Sequence, residues 1–279
     1  MKKDDAHLLL VDGMALLFRS FYATAPRWMI NRDGVPTNAV YGLVKHVEAA
    51  TRLLEPTHVV CCWDMGSTTF RTEWFPDYKA NRGEPPHELI PQFDLAKETV
   101  TMLGIPNIGV LGAEADDCIG SLVKQYRDEM RISIMTGDRD LFQLLSEHVT
   151  VYLLAKGIGN YEAYTFERFI KEKGIQPQQL IDVKALMGDA SDNYPGVRGI
   201  GEKQAFKLIQ QYGSIEGIME NLANLTKAQQ QKITEHLDLL HLSRKLATIH
   251  CDIPLHLRLD EAKWDGRRKR FVEVLEAIM

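Results

Sequence analysis

The 279-residue sequence has few cysteines and no long apolar run. Its four cysteines form no Cys-x-x-Cys pair and no histidine-paired spacing, which argues against a zinc site and a disulfide framework. We expect buried, reduced thiols instead. No apolar stretch approaches the roughly 20 residues of a membrane span, and the apolar run at 7–11 is too short for a signal peptide. The sequence therefore predicts a cytoplasmic protein without a membrane segment.

A strong excess of charge of either sign is also absent. The chain has 33 basic residues against 38 acidic ones, which gives a formal net charge of −5. Taken over the whole chain, this charge weakly disfavours a polyanionic partner such as nucleic acid. A content of 45% hydrophobic and 25% charged residues is typical of a globular protein and excludes collagen-like and wholly disordered chains.

Strand and helix patterns alternate in the first half of the chain and predict a parallel α/β sheet. Short strands are predicted at 7–11, 57–63, 105–110, 131–136 and 149–154, with helices at 38–54, 91–103 and 114–127. After about residue 165 the strand patterns stop, and helices are predicted at 166–173, 177–187, 202–212, 215–221, 227–236 and 239–250. We therefore expect an α/β core over 1–165 and a helical region over 166–279.

Three aspartates follow predicted buried strands. Asp12, Asp64 and Asp138 each come directly after such a strand or within two residues of it. The carboxyl ends of parallel strands lie along one edge of a sheet, where ligands bind. A single aspartate in this position is usually a turn former or a helix cap. Three of them in register predict one acidic crevice.

Further acids belong to the same predicted crevice. They are Glu114, Asp116 and Asp117 at a predicted helix N-terminus, Asp140 after the fourth strand, and Asp189 and Asp192 in a loop of the helical half. Acids at a helix N-terminus also complement the helix dipole. So many carboxylates exceed what one Mg²⁺ uses and suit a pair of ions, as in two-metal phosphoryl-transfer sites. The pattern favours metal-dependent phosphodiester hydrolysis.

A glycine hairpin follows the last acidic loop. Gly199 and Gly201 flank one apolar residue, a helix is predicted to begin immediately afterwards, and Lys203 and Lys207 are close by. Backbone amides at such a turn can face a phosphate, since glycine has no Cβ to block its approach. A simple turn between two helices explains this stretch equally well.

The polar segment after the second strand mixes aromatic and basic residues. It contains Arg71, Trp74, Tyr78, Lys79 and Arg82. Single-stranded nucleic acid is bound by aromatic rings that stack on bases and by cations that contact phosphates. Alternatively, this segment is an ordinary loop with a few buried anchors.

Together these motifs resemble the 5′ nuclease family, which includes stand-alone bacterial and phage 5′–3′ exonucleases and flap endonucleases and the N-terminal domain of bacterial DNA polymerase I. The matching motifs are Leu10-Val11-Asp12-Gly13, Trp63-Asp64, Phe70-Arg71, Asp77-Tyr78-Lys79-Ala80-Asn81-Arg82, Glu114-Ala115-Asp116-Asp117, Thr136-Gly137-Asp138-Arg139-Asp140, the run from Met187 to Val197, and Gly199-Ile200-Gly201-Glu202-Lys203. The resemblance covers residues 7–254.

The resemblance implies a parallel-sheet core of the PIN-like class with a helical arch at about 66–103, and a helix–hairpin–helix at about 188–213. It implies one metal ion held by Asp12, Asp64, Glu114, Asp116 and Asp138, and a second held by Asp140, Asp189 and Asp192, with Asp117 nearby. Lys79, Arg82 and Asp138 are the implied catalytic residues. The implied DNA contacts are Arg71, Tyr78, Lys79, Arg82, Gly199, Gly201, Lys203 and Lys207.

The implied activity is 5′–3′ exonuclease and 5′-flap cleavage of DNA with two Mg²⁺ ions, for which Mn²⁺ substitutes, and with K⁺ at the hairpin. The implied setting is removal of RNA primers from Okazaki fragments and DNA repair, by a monomer acting on 5′ ends at duplex junctions and on RNA–DNA hybrids. One alternative is a noncatalytic DNA-junction-binding module, and another is a metal phosphatase acting on small molecules. The basic run at 267–270 opens a predicted final helix and has no assigned role.

The position of the acids also changes the meaning of the net charge. Nine of the 38 acidic residues belong to the predicted crevice, so the rest of the chain has 29 acids against 33 bases, a balance of +4. The sequence thus predicts a metal site within a mildly basic body.

Overall fold

The computed structural model describes residues 6–24, 29–266 and 268–279. Its centre is a six-stranded sheet with the strand order β3-β2-β1-β4-β5-β6. The strands are β1 (His7–Asp12), β2 (His58–Cys62), β3 (Asn107–Ile108), β4 (Arg131–Thr136), β5 (Val149–Leu154) and β6 (Tyr161–Tyr164). The first five strands run parallel, as the sequence predicts, and β6 pairs antiparallel with β5.

Helices surround the sheet and form the second half of the chain. In the first half they are α1 (Gly13–Thr24), α2 (Asn38–Leu54), α3 (Phe70–Trp74), α4 (Ile90–Met102) and α5 (Ala115–Tyr126). In the second half they are α6 (Phe166–Lys173), α7 (Leu180–Met187), α8 (Glu202–Tyr212), α9 (Ile215–Glu220), α10 (Lys227–Glu235), α11 (Leu237–Ala247) and α12 (Arg268–Ile278). Helices α1 and α3 were not predicted from the sequence.

The sheet separates two apolar cores. Leu8 and Leu10 of β1 face a core that contains α5 and the helices of the second half, including Val183 and Ile209. The alternate residue Leu9 faces a core with α1, α2, α4 and α12. Strands buried on both faces are uniformly apolar, which explains why the sequence predicts them well. The first core joins the sheet to the helical half.

Three of the four cysteines are buried, and all four are free thiols. This confirms the expectation of reduced cysteines, although Cys251 is only partly buried. Among the described residues, no helix is long and apolar enough to cross a membrane.

The segment 66–103 contains α3, a series of turns and then α4, which matches the helix predicted at 91–103. Helix α3 begins at the cap Thr69, whose hydroxyl accepts a hydrogen bond from the amide of Arg71. Beyond it, the amide of Lys79 donates to the carbonyl oxygen of Asp192 at 2.9 Å. The segment is therefore tied directly to the loop that follows α7.

Candidate active site

The carboxyl edge of the sheet brings the predicted acids together around one cavity. Asp12 is the last residue of β1, and Asp64 and Asp138 lie two residues beyond β2 and β4. The cavity measures about 530 Å³, and its lining includes Asp12, Asp64, Glu114, Asp116 and Asp138 together with Lys79 and Arg82. We name those five acids the first acid group.

Burial and mutual repulsion make the charged state of this group costly. Burial raises the pKa of Asp12 to about 7, with the charges of Asp64 and Asp138 adding to it, although hydrogen bonds from Ala15 and Thr136 oppose the rise. Burial likewise raises the pKa of Asp116, and the charges of Asp138 and Asp12 add to it. A bound cation would offset this repulsion, so the donor set suits a hard divalent ion.

The carboxylates of the first acid group now accept hydrogen bonds from the chain itself. Asp64 accepts from the amide of Ala115 at 2.6 Å, and Asp138 accepts from the amide of Asp140 at 2.8 Å. Within the part of the chain that the structure describes, no group of three or more His, Cys, Asp or Glu side chains is arranged to hold a metal ion. Side-chain rotation is therefore needed for direct coordination.

Asp140, Asp189 and Asp192 form a second acid group, which the chain's own cations neutralise. The Lys184 ammonium lies 2.6 Å from Asp140 Oδ1 and also pairs with Asp189 Oδ2. Burial alone would raise the pKa of Asp189, but the hydrogen bond and charge of Lys184 lower it to about 2. Burial and the charge of Asp138 raise the pKa of Asp140 to about 7 despite Lys184. Sequence reasoning missed Lys184, because a lysine in the last turn of a helix is ordinary.

A buried hydroxyl supports the view that the second acid group can take a ligand. The side chain of Tyr194 is 3% exposed, and its hydroxyl has no hydrogen-bond partner among the residues that the structure describes. Burial raises the pKa of Tyr194, and the charges of Asp140, Asp189 and Asp192 raise it further, which places the ring near all three acids. Buried polar groups normally have partners, so this hydroxyl is available to a hydrated ion.

Lys79 and Arg82 connect the segment 66–103 to both acid groups. Lys79 Nζ lies 2.9 Å from Glu114 Oε1, and Arg82 Nη2 lies 2.6 Å from Asp192 Oδ1. Lys79 has φ of 56°, a left-handed conformation that costs energy for a residue with a side chain. Two cations thus line the acidic cavity, as the sequence predicts.

The structure does not support a DNA contact for Arg71. Its side chain is buried at 2% exposure and forms two hydrogen bonds with Asp117, of 2.7 and 2.8 Å. It also donates to the carbonyl oxygens of Leu246 and Thr248. Asp117, which the resemblance places near the metal ions, is fully buried, and both of its carboxylate oxygens accept hydrogen bonds from Arg71. Burial therefore favours an internal ion pair for both residues, which the sequence pattern did not indicate.

Tyr78 is also buried rather than available to DNA. Its exposure is 4%, and its hydroxyl donates to Asp192 Oδ2 at 3.1 Å and to Glu114 Oε2 at 3.3 Å. The ring stacks on Tyr194 with 6.5 Å between centroids. Tyr78 therefore links one acid of each group instead of contacting a nucleic acid.

The predicted hairpin lies between α7 and α8. Gly188 and Gly196 pack so closely that a Cβ on Gly196 would lie 2.2 Å from the Gly188 nitrogen, so neither can carry a side chain. Gly199 has φ of 83°, and its carbonyl oxygen accepts a hydrogen bond from Lys232. Gly201 and Lys203 are exposed at the start of α8, and Lys207 is exposed about one turn further along the helix. The first backbone amides of a helix lack intrahelical acceptors.

The basic run at 267–270 is only partly within the described residues, because Arg267 lies outside them. Arg270 donates to the carbonyl oxygen of Leu103 at 2.8 Å and lies 3.5 Å from Asp265. Arg270 therefore anchors α12 against the end of α4.

Comparison with known proteins agrees with this geometry. Two family models match: the N-terminal resolvase-like domain of 5′–3′ exonucleases over residues 7–174, and their C-terminal SAM fold over residues 175–270. A 5′–3′ exonuclease of Bacillus subtilis is 58% identical over 270 residues, which are 96% of this chain and 91% of that protein. DNA polymerase I of Bacillus caldotenax is 41% identical over 271 residues, which are 96% of this chain but only 31% of that protein.

Solved structures share the fold. A bacteriophage T5 protein co-crystallised with metal ions has a TM-score of 0.75 at 22% identity, covering 98% of this chain and 100% of the other. The bacteriophage T5 flap endonuclease in a complex with DNA and metal ions has a TM-score of 0.73 at 23% identity, covering 97% and 98%. The two family models together cover most of the chain, and so this chain belongs to the 5′–3′ exonuclease family.

Proposed function

We propose that this chain is a structure-specific 5′ nuclease, with both 5′–3′ exonuclease and 5′-flap endonuclease activity on DNA. The observation that carries this proposal is the cavity of about 530 Å³ in which five acids face two cations. The activity named for the Bacillus subtilis relative, which is 58% identical, supports it. The DNA and metal ions bound by the bacteriophage T5 flap endonuclease, which shares the fold, are consistent with it.

The acids fit divalent metal ions, for which we propose Mg²⁺ with Mn²⁺ as a substitute. Asp12, Asp64, Glu114, Asp116 and Asp138 would hold one ion, and the second acid group would hold the other. When bound, such ions lower the pKa of a coordinated water and offset negative charge on a leaving oxygen. Asp117 is left out of this set because Arg71 occupies both of its oxygens.

Lys79 and Arg82 would bind the phosphate that is cut. Both line the cavity, and each is held by a carboxylate, Glu114 or Asp192, so their charges are oriented before substrate arrives. Preorganised cations stabilise the negative charge that develops on a transferring phosphoryl group. Asp138, which faces the same cavity, completes the proposed catalytic set.

The hairpin would bind the duplex beside the cut site. Lys203 and Lys207 are four residues apart on α8 and therefore share a face. Backbone amides at Gly199 and Gly201 would approach a phosphate, with K⁺ as a proposed bridging ion. Residues 1–165, with the arch at about 66–103, would therefore catalyse the cleavage, and residues 166–279 would contact the duplex.

For the cellular role we propose a monomer in the cytoplasm that removes RNA primers from Okazaki fragments and acts in DNA repair. Its substrates would be 5′ flaps, 5′ ends at duplex junctions and RNA–DNA hybrids. The four unpaired thiols suit the reducing conditions of that compartment.

The test is cleavage of a labelled 5′-flap DNA with and without Mg²⁺. We expect metal-dependent release of the flap, and a loss of about a hundredfold or more in kcat for Asp138→Asn. The exposed Asp128→Asn is a matched control that should cleave like the wild type. Tight flap binding with no cleavage in Mg²⁺ or Mn²⁺ would instead support the DNA-junction-binding module.

A further inference from the structure

The two acid groups differ in how the chain balances their charge. Within the described residues, the four aspartates of the first acid group, Asp12, Asp64, Asp116 and Asp138, form no ion pair with a lysine or arginine. In the second acid group every acid has one: Lys184 pairs with Asp140 and Asp189, and Arg82 pairs with Asp192. The fifth member of the first group, Glu114, pairs with Lys79 at 2.9 Å and lies 3.6 Å from Arg71. The four aspartates of the first group thus lack the counter-ion that every acid of the second group has.

Lys184 occupies a position that a metal ion would need. Its ammonium lies between Asp140, which follows the sheet, and Asp189, which follows α7, and its side chain is only 16% exposed. The two carboxylates that it binds, Asp140 and Asp189, belong to the second acid group, for which we propose a divalent cation. Two cations cannot share those oxygens, because their mutual repulsion in a buried site is strong.

We propose that Lys184 is the internal counter-ion of the second acid group, and that a divalent cation binds this group only by displacing the ammonium of Lys184. The two acid groups would therefore fill in order, the first group tightly and the second weakly. This inference rests on the proposed function, because it assigns both groups to metal ions.

The structure offers the displaced ammonium a second partner. Lys184 and Asp140 border a cavity of about 190 Å³ whose lining also includes Glu202. Within the described part of the chain Glu202 forms no ion pair, and it is the first residue of α8, directly after the glycine hairpin. Movement of Lys184 towards Glu202 would link occupation of the second acid group to the element proposed to bind duplex DNA.

The test counts Mn²⁺ ions bound to the full chain by electron paramagnetic resonance, for the wild type, Lys184→Met and Lys184→Arg. The exposed Lys171→Met on α6 is the matched control. We expect one tight and one weak Mn²⁺ for the wild type and for Lys171→Met. For Lys184→Met the second dissociation constant should fall by about tenfold or more, equal to about 1.4 kcal/mol, while the first stays the same.

Lys184→Arg keeps a positive side chain at this position, so its second Mn²⁺ should still bind weakly. This variant distinguishes competition between charges from an effect of altered packing. Thermal unfolding of each variant establishes that it is folded. A second Mn²⁺ that binds no more tightly to folded Lys184→Met than to the wild type overturns the inference. The flap assay tests the proposed function separately. If the wild type cleaves the flap but Lys184→Met binds the second Mn²⁺ no more tightly, only the role of Lys184 is rejected. If Lys184→Met binds the second Mn²⁺ more tightly but the wild type cleaves no flap, the proposed nuclease activity is rejected.

Discussion

Replacement of Arg71 by methionine tests whether this residue supports the fold or contacts DNA. The substitution keeps a long side chain but removes four hydrogen bonds, two of them to the fully buried Asp117. Removing one partner of a buried ion pair costs about 3–5 kcal/mol, because the other charge stays buried without compensation. At roughly 2 °C per kcal/mol for a chain of this size, the melting temperature should fall by about 6–10 °C.

Thermal and urea unfolding measure this loss, and Lys124→Met provides the control. Lys124 pairs with Asp252 at 2.5 Å, but both side chains are more than half exposed, so its replacement should cost less than about 1 kcal/mol. Adding Asp117→Leu to Arg71→Met should recover part of the stability, since it removes the orphaned charge. If Arg71→Met unfolds within about 1 kcal/mol of the wild type and instead loses affinity for DNA, the structural role is wrong.

Three further predictions concern the hairpin, a buried histidine and the duplex contacts. Gly196→Ala should destabilise the chain by several kcal/mol and abolish flap cleavage, because its Cβ would lie 2.2 Å from the backbone of Gly188, beside the second acid group. Burial and the charge of Arg131 lower the pKa of His7 from 6.5 to about 4. Between pH 4 and 6.5 the folded chain therefore binds fewer protons than the unfolded chain. The free energy of unfolding should therefore drop as the pH falls from 6.5 to 4, and drop less in His7→Gln. Lys203→Gln combined with Lys207→Gln should weaken binding to any duplex sequence and reduce the salt dependence of log Kd by about two.

Control variants at exposed or open positions accompany the predictions of the preceding paragraph. Gly66→Ala has open space around its Cβ and should unfold like the wild type. The exposed Lys171→Gln should leave the salt dependence of DNA binding unchanged. The histidine prediction is wrong if the free energy of unfolding of His7→Gln falls as steeply with pH as that of the wild type. The lysine prediction is wrong if the double lysine variant and the wild type show equal salt dependence of DNA binding.

Most of the fold was predictable because its strands are buried on both faces. The mainly apolar runs at β1, β2 and β4 are followed closely by acids, and the structure places those acids on one edge of the sheet. Strand β6 was missed because it is short, partly exposed and at the edge of the sheet. Helix α1 was missed because it begins at Gly13 directly after β1, with no loop and no acidic residue in its first turn to mark its start.

The candidate site was predictable only as far as its topology. The positions of Asp12, Asp64 and Asp138 follow from strand order, which alternating strands and helices indicate. The partners of Lys184 and Tyr194 depend on how α7 and its loop pack on the sheet, and no local pattern encodes that packing. Arg71 lies in a basic and aromatic segment, and only its burial distinguishes an internal ion pair from a DNA contact.

The hydrogen bonds of Arg71 to Leu246 and Thr248 have a consequence for synthesis on the ribosome. A residue near the start of the proposed arch is fixed by carbonyl groups about 175 positions later in the chain. The acids themselves come from positions as far apart as 12 and 192. A nascent chain can therefore complete the sheet well before it holds the arch in place. Cutting activity should appear late in translation, once α11 has left the exit tunnel and docked.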